Sequence, residues 1–349
     1  MIKVLIVDDS AVARQLLRAV IEADPGFQVV GAVEDGEKAL GAVQQLRPDV
    51  VTMDINMPHL NGFEVTRRIM ESCPTPIVIV TGSWDVDAVS TSFHTLEAGA
   101  LAVLARPPGI GHPDHEAASQ ELIRTLRAMS EVKVIRRWAR ARAGAVSPVP
   151  LPGEAPPRPK PGYELVAVGA STGGPQALQA LLAALPQAFR LPVLMVQHMA
   201  EGFIHGFAKW LSDSTGRPVQ VAGHAEPLMP GHAYLAPDGH FMGVTRNGRI
   251  TLVRGRPDNG LCPSAAFLFR SATEAYGERA IGVLLTGMGK DGAEELKLMK
   301  DGGAVTFAQD QDSALIYGMP AEAVRIGGAV YQLPPERIAA ALVTLTHGG

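Results

Sequence analysis

Ser171 in VAVGASTGGPQAL, His198 in PVLMVQH and Asp291 in LLTGMGKDG are residue types that together carry acyl transfer. Gly169-Ala-Ser171-Thr-Gly173 matches G-x-S-x-G, a sharp strand-to-helix turn that exposes a serine hydroxyl. Serine is a poor nucleophile at its free pKa and needs a base. His198 ends the next strand, and Asp291, after a further strand, suits the carboxylate that orients an imidazole. The helix opened by Pro175 adds partial positive charge where an oxyanion would develop. The Gly-rich turn around Met288 would offer backbone N–H groups to the same oxyanion. A Gly-rich turn can instead bind phosphate. The dinucleotide fingerprint, however, needs glycine where Ser171 stands and an acid where His198 stands. A lone serine in such a turn is usually a cap; the contexts of His198 and Asp291 argue for chemistry. In the α/β-hydrolases the acid precedes the histidine, so that fold is not assigned.

A second constellation is acidic. Asp8 and Asp9 follow the apolar run of MIKVLIVDDS, and Asp54 follows that of VVTMD. Strand C-termini of a parallel sheet share one edge, where ligands bind at a switch in strand order. Three carboxylates meeting there repel one another unless a cation intervenes. Mg²⁺, held by a few carboxylates, a carbonyl and waters, is the natural occupant. Asp54 then becomes a candidate nucleophile toward a phosphoryl group, forming an acyl phosphate. Thr81, ending the fourth strand, would supply a hydroxyl to that phosphate, and a cation ending the fifth would pair with its charge. Solvated strand-end acids are the bland alternative.

Positioning these groups requires two α/β domains. Apolar runs at 2–7, 27–32, 50–53, 77–80 and 101–104 read as strands. Amphipathic stretches at 11–23, 36–46, 62–71, 85–98 and from about 114 read as helices. Strands without polar alternation imply a parallel sheet covered on both faces, a doubly wound domain. The second half repeats the pattern, with strands at 165–169, 193–197, 280–286 and 305–308. Helices are expected at 175–185, 203–212, 263–276, 293–301, 320–326 and 335–346, and β-ribbon or loops over 219–258. Ser264 reads as the cap of the 263–276 helix, with substrate lining as the alternative. The helix from about 114 is expected to run to Arg142. Seven prolines in SPVPLPGEAPPRPKPG then make residues 147–162 a semi-rigid linker. At ~3.1 Å per residue it spans at most about 50 Å.

VLIVDDSAVAR, VTMDINMPHLNG, IVTGS and the turn before Pro107 resemble a response-regulator receiver domain over residues 1 to about 125. The resemblance implies a flavodoxin-like fold in which Asp54 accepts phosphate from a histidine kinase. Asp8 and Asp9 would help hold Mg²⁺, with the carbonyl of Asn56 as the backbone ligand. That family usually carries lysine before the proline after strand five; here Arg106 stands there, in VLARPPG. Arginine keeps the charge but is bulkier and forked. The family's aromatic switch position is Val103.

GASTGG, VLMVQHM, YLAPDGHFM, CPSAAFLF, LLTGMGKDG and YGMPAEA resemble the chemotaxis protein-glutamate methylesterase (CheB) family. With the receiver and linker the likeness covers nearly the whole chain. It implies a receiver at 1–125, a helix extension and linker at 126–162, and a Rossmann-like catalytic domain at 163–349. It implies a Ser171–His198–Asp291 triad that demethylates glutamate methyl esters and deamidates certain glutamines. The Met288 N–H would contribute to the oxyanion hole, and Thr172 would lie in the cleft. Methylated chemoreceptors would be substrates, a chemotaxis histidine kinase the phosphodonor, and the hydrolase reaction would need no cofactor. The alternative is a phosphorylatable adaptor that grips receptors or kinase without useful hydrolysis.

Composition fits this reading and excludes others. The chain has 349 residues, enough for about two domains, with 46% apolar and 19% charged residues. Net charge is −4, too small for global attraction to nucleic acid. The basic excess falls in residues 130–162, with 7 basic and 2 acidic side chains and one aromatic residue, Trp138. Two cysteines exclude a disulfide scaffold. No apolar run approaches the ~20 residues of a membrane span. The opening run ends in two aspartates, unlike a signal peptide. A cytoplasmic monomer that does not insert into membranes is expected.

Overall fold

The computed structural model describes residues 1–58, 60–82, 85–132, 134, 162–255 and 261–346. The chain divides into two compact units, 1–144 and 145–349.

In the first unit β1 (Ile2–Val7), α1 (Ala11–Glu22), β2 (Phe27–Val33), α2 (Gly36–Leu46) and β3 (Val50–Met53) come first. They are followed by α3 (Gly62–Ser72), β4 (Ile77–Thr81), α4 (Val86–Ala98), β5 (Ala102–Ala105) and α5 (His115–Ser130). The sheet order is β2-β1-β3-β4-β5, with every pairing parallel. The continuous apolar runs of β1, β3 and β4 are buried because helices cover both faces. Ser10, Asp35, Asn61 and Asp85 start α1 to α4, each accepting a backbone N–H from the first turn. Such caps are worth ~1 kcal/mol each. Strand order reverses between β1 and β3, where Val7 pairs with Met53. Asp8 and Asp54 therefore leave neighbouring strands at the same edge.

The second unit runs β6 (Leu165–Ala170), α6 (Gly174–Ala184), β7 (Val193–Gln197), α7 (Ile204–Thr215), β8 (Val219–Val221), β9 (Ala233–Leu235), β10 (His240–Val244) and β11 (Ile250–Arg254). It continues with α8 (Ala265–Tyr276), β12 (Ala280–Leu284), α9 (Ala293–Asp301), β13 (Val305–Gln309), α10 (Met319–Arg325), β14 (Tyr331–Leu333) and α11 (Pro335–Thr346). Seven parallel strands are ordered β14-β13-β12-β6-β7-β9-β8. β6 lies between β12 and β7, so the order reverses beside it, again at the edge where its functional residues emerge. The apolar faces of α8, α9 and α10 supply Leu268, Phe269, Leu296, Met299 and Met319 to one core under this sheet.

The structure departs from the sequence expectation in three places. The 219–258 stretch divides: β10 and β11 form an antiparallel pair, whereas β8 and β9 extend the parallel sheet. β8, β9 and β14 have three residues each, too few to show a hydrophobic period. The helix expected to reach Arg142 ends at Ser130, with Glu131 as its cap. Residues 135–161, with the proline-rich stretch, lie outside the described residues.

Candidate active site and phosphoacceptor site

Ser171 follows β6 and His198 follows β7, and Ala170 pairs with Gln197 across those strands. Hydroxyl and imidazole thus leave parallel neighbours whose backbones lie ~4.8 Å apart. The His198 N–H donates to Ala170 O at 3.0 Å. Gln197, 2% exposed, uses its Nε2 to donate to both Ser171 O and His198 O at 2.8 Å. On the other flank the Ser171 N–H donates to Thr286 O at 3.0 Å. The turn into α6 needs the left-handed backbone of Gly173, at φ 79°.

Asp291 arrives from the turn after β12. Its Oδ2 lies 3.0 Å from His198 Nε2, and the two side chains are 10% and 12% exposed. Asp291 is also seated on the start of α8. Its Oδ2 accepts the Ala265 N–H at 2.6 Å, and its Oδ1 accepts the Ser264 hydroxyl at 2.9 Å and the Ala266 N–H at 3.3 Å. Burial alone would push this carboxyl up. His198, the Ala265 N–H and the Ser264 hydroxyl outweigh it and hold the group below the usual carboxylate range. Because Nε2 is engaged by Asp291, Nδ1 is the ring nitrogen left for serine. Among the described residues no hydrogen bond joins Ser171 to the His198 ring; such contacts commonly tighten only around bound substrate.

The turn carrying Met288 closes on Ser171. A Cβ on Gly287 would lie 2.6 Å from Ser171 Cβ, so only glycine admits this approach. Gly287 is pinned by donating to Ile316 O at 3.1 Å and accepting the Met319 N–H at 2.8 Å. The Met288 N–H has no partner among the described residues. Half-buried Thr172 receives the Thr286 hydroxyl on its carbonyl at 2.9 Å.

In the first unit Asp8, Asp9 and Asp54 converge, with one carboxylate oxygen of each within 4.8 Å of the others. Asp8 is 1% and Asp54 7% exposed, whereas Asp9 is exposed. Burial, then repulsion from Asp8, raises the Asp54 carboxyl to about 6, against the pull of Arg106. Asp8 is raised too, by burial, despite the Ser10 N–H and Arg106. Paired buried carboxylates under this strain suit a hard divalent cation, which would relieve both repulsion and desolvation. Thr81 is buried at the end of β4, and Asn56 is exposed two residues beyond Asp54. Arg106 Nη1 lies 3.2 Å from Asp8 Oδ2.

The structure brings His198 to Asp291, sets Ser171 on the strand beside His198 and gathers Asp8, Asp9 and Asp54 with Arg106 on Asp8, and the sequence reading missed three contacts that hold these groups. Ser264 caps α8 as expected but also bonds Asp291. Gln197, read as strand, bridges Ser171 and His198. Gly82 makes room for Arg106. The polar Gln197 at the buried end of an apolar strand was the one signal available.

A CheB methylesterase family model matches residues 166–342, and a response regulator receiver domain model matches residues 4–111. Protein-glutamate methylesterase/protein-glutamine glutaminase 1 of Syntrophus aciditrophicus is 54% identical over 347 residues, covering 99% of this chain and 98% of that protein. Protein-glutamate methylesterase/protein-glutamine glutaminase 4 of Geobacter metallireducens is 52% identical over 347 residues, covering 99% of each. The crystal structure of the Thermotoga maritima CheB methylesterase catalytic domain is similar with a TM-score of 0.51 and 34% identity, covering 52% of this chain and 98% of that one. The chain belongs to the CheB methylesterase family, with a response regulator receiver domain ahead of the methylesterase domain.

Proposed function

We propose that this chain is a phosphorylation-regulated protein-glutamate methylesterase and protein-glutamine glutaminase acting on chemoreceptors in chemosensory adaptation. The observation that carries the reading is the 3.0 Å contact between His198 Nε2 and Asp291 Oδ2, with Ser171 leaving the strand beside His198. Ser171 Oγ attacks the side-chain carbonyl of a methylated glutamate while His198 Nδ1 takes its proton. The tetrahedral oxyanion is stabilised by the Met288 N–H and the N-terminus of α6, where losing one donor costs ~10²–10³ in rate. His198 returns the proton to departing methanol, or to ammonia when glutamine is the substrate. Water, deprotonated by His198, then releases glutamate from the acyl-enzyme. Asp291 holds the ring throughout, and this chemistry requires no cofactor.

Residues 1–125 serve as the regulatory receiver, 126–162 as the connection between the domains, and 163–349 as the catalytic domain. Asp54 accepts phosphate from a chemotaxis histidine kinase, with Thr81 and Arg106 meeting the phosphoryl oxygens. Asp8, Asp9, Asp54 and the Asn56 carbonyl would hold Mg²⁺, which supplies charge neutralisation during phosphoryl transfer. Phosphorylation shifts a two-state equilibrium, ~1.4 kcal/mol of differential stability giving tenfold in population. The chain works as a cytoplasmic monomer; among the described residues no helix is long and apolar enough to cross a membrane.

The experiment is methanol release from methylated receptor by wild type and Ser171→Ala. Release abolished by the substitution supports the reading, and equal rates overturn it.

A further inference from the structure

We propose that Ser264 is a positioning residue for this hydrolase, a fourth polar member that orients the Asp291 carboxylate toward His198. The inference rests on the triad reading above and deepens it. Asp291 sits in the turn between β12 and α9 and has no rigid element of its own to fix its rotamer. Its orientation comes from α8. The hydroxyl of Ser264 donates to Oδ1 at 2.9 Å, and the Ala265 and Ala266 N–H groups approach Oδ2 and Oδ1 at 2.6 and 3.3 Å. Oδ2 is thereby aimed at His198 Nε2.

The two oxygens are served unequally. Oδ2 has the Ala265 N–H and the imidazole, both short. Oδ1 has the Ser264 hydroxyl and one long amide contact, so Ser264 is its principal donor. Ser264 is itself 9% exposed and accepts the Phe267 N–H at 3.4 Å as the helix cap. One side chain therefore starts the helix and donates a hydrogen bond to the Asp291 carboxylate. Other charged groups near Asp291 are Lys290, Glu294 and Glu295, which line the adjoining groove with Arg270. Arg270 pairs with Glu295 at 3.5 Å, and none of these has a hydrogen bond to Asp291.

A cap and a positioning donor make different predictions at this position. Glycine is nearly as good a cap as serine, but has no hydroxyl. Threonine keeps the hydroxyl. The test compares Ser264→Gly, Ser264→Ala and Ser264→Thr in the full chain, with methylated receptor as substrate. Loss of the donor frees the Asp291 carboxylate to turn away from the imidazole. Glycine and alanine variants are expected to lose about tenfold in kcat with KM unchanged. Threonine restores kcat. The NMR signal of the His198 ring N–H held by Asp291, assigned with His198→Gln, moves in the glycine and alanine variants and stays in place with threonine, without relying on turnover. Glycine matching wild type in kcat and in that ring signal overturns the proposal, because only the cap would then matter. Wild type without methylesterase activity overturns the functional reading instead, while the ring signal still tests the Ser264 contact.

Discussion

Gly82 and Arg106 occupy one space: a Cβ on Gly82 would lie 2.1 Å from an Arg106 guanidinium nitrogen. The residue after Thr81 therefore has no side chain where the chain carries the bulkier, forked cation at the end of β5. The guanidinium rests over the Gly82 backbone and reaches Asp8 at 3.2 Å. The geometry of the Arg106–Asp8 ion pair thus depends on the absence of one methyl group two strands from Asp8.

Gly82→Ala should push the flexible guanidinium aside and break its contact with Asp8 while changing stability by less than ~1 kcal/mol. Labelling of Asp54 by acetyl phosphate is expected to fall several-fold. Combining Gly82→Ala with Arg106→Lys should recover part of the loss, because the slimmer ammonium stem tolerates the methyl. Equal losses in the single and double variants would show that the two positions are uncoupled.

Asp54 is a carboxyl whose folded-state pKa stands at about 6, above the ordinary 3.8. Between those values the folded chain binds more protons than the unfolded one, so stability falls as pH rises through that window. Asp54→Asn removes the penalty. With divalent cations chelated, the variant should be more stable than wild type at pH 7 to 8, by up to ~3 kcal/mol, and the gain should vanish near pH 4. Mg²⁺ should raise the melting temperature of wild type more than that of the variant. Differential scanning calorimetry of both proteins across this range decides it.

Replacing Asp291 by asparagine keeps the shape but removes the charge that opposes imidazolium. The amide would also turn its N–H₂ toward either the Ala265 N–H or the Ala266 N–H, each of which needs an acceptor. Turnover should drop by ~10²–10⁴ with KM little changed. A loss under tenfold would argue that His198 is oriented by something other than this carboxylate.

Gln197 ties Ser171 O and His198 O to one amide, so Gln197→Leu should loosen Ser171 and His198 together. A tenfold or larger fall in kcat is expected, with ~1–2 kcal/mol of stability lost from the unpaired carbonyl. Gly174→Ala offers an independent route, since its Cβ would lie 2.0 Å from Gln197 Oε1 and displace the same side chain. Parallel kcat losses in the two variants check the clamp; full activity in both would remove it.

The candidate site residues and the α/β class were legible in the chain because both are written locally. Apolar runs without alternation declare buried parallel strands, and G-x-S-x-G declares a turn that exposes its serine. Carboxylates that end apolar strands must share an edge once those strands are parallel. The supporting contacts were not legible, because they join residues far apart in the chain. Ser264 meets Asp291 across 27 positions and Arg106 meets Asp8 across 98. A serine before a helix looks the same whether its hydroxyl faces water or a carboxylate, and a glycine after a strand does not say whose side chain fills its place. Those facts arise only when strand order and helix packing bring distant atoms within hydrogen-bonding or van der Waals range, since both interactions are lost beyond a few ångströms.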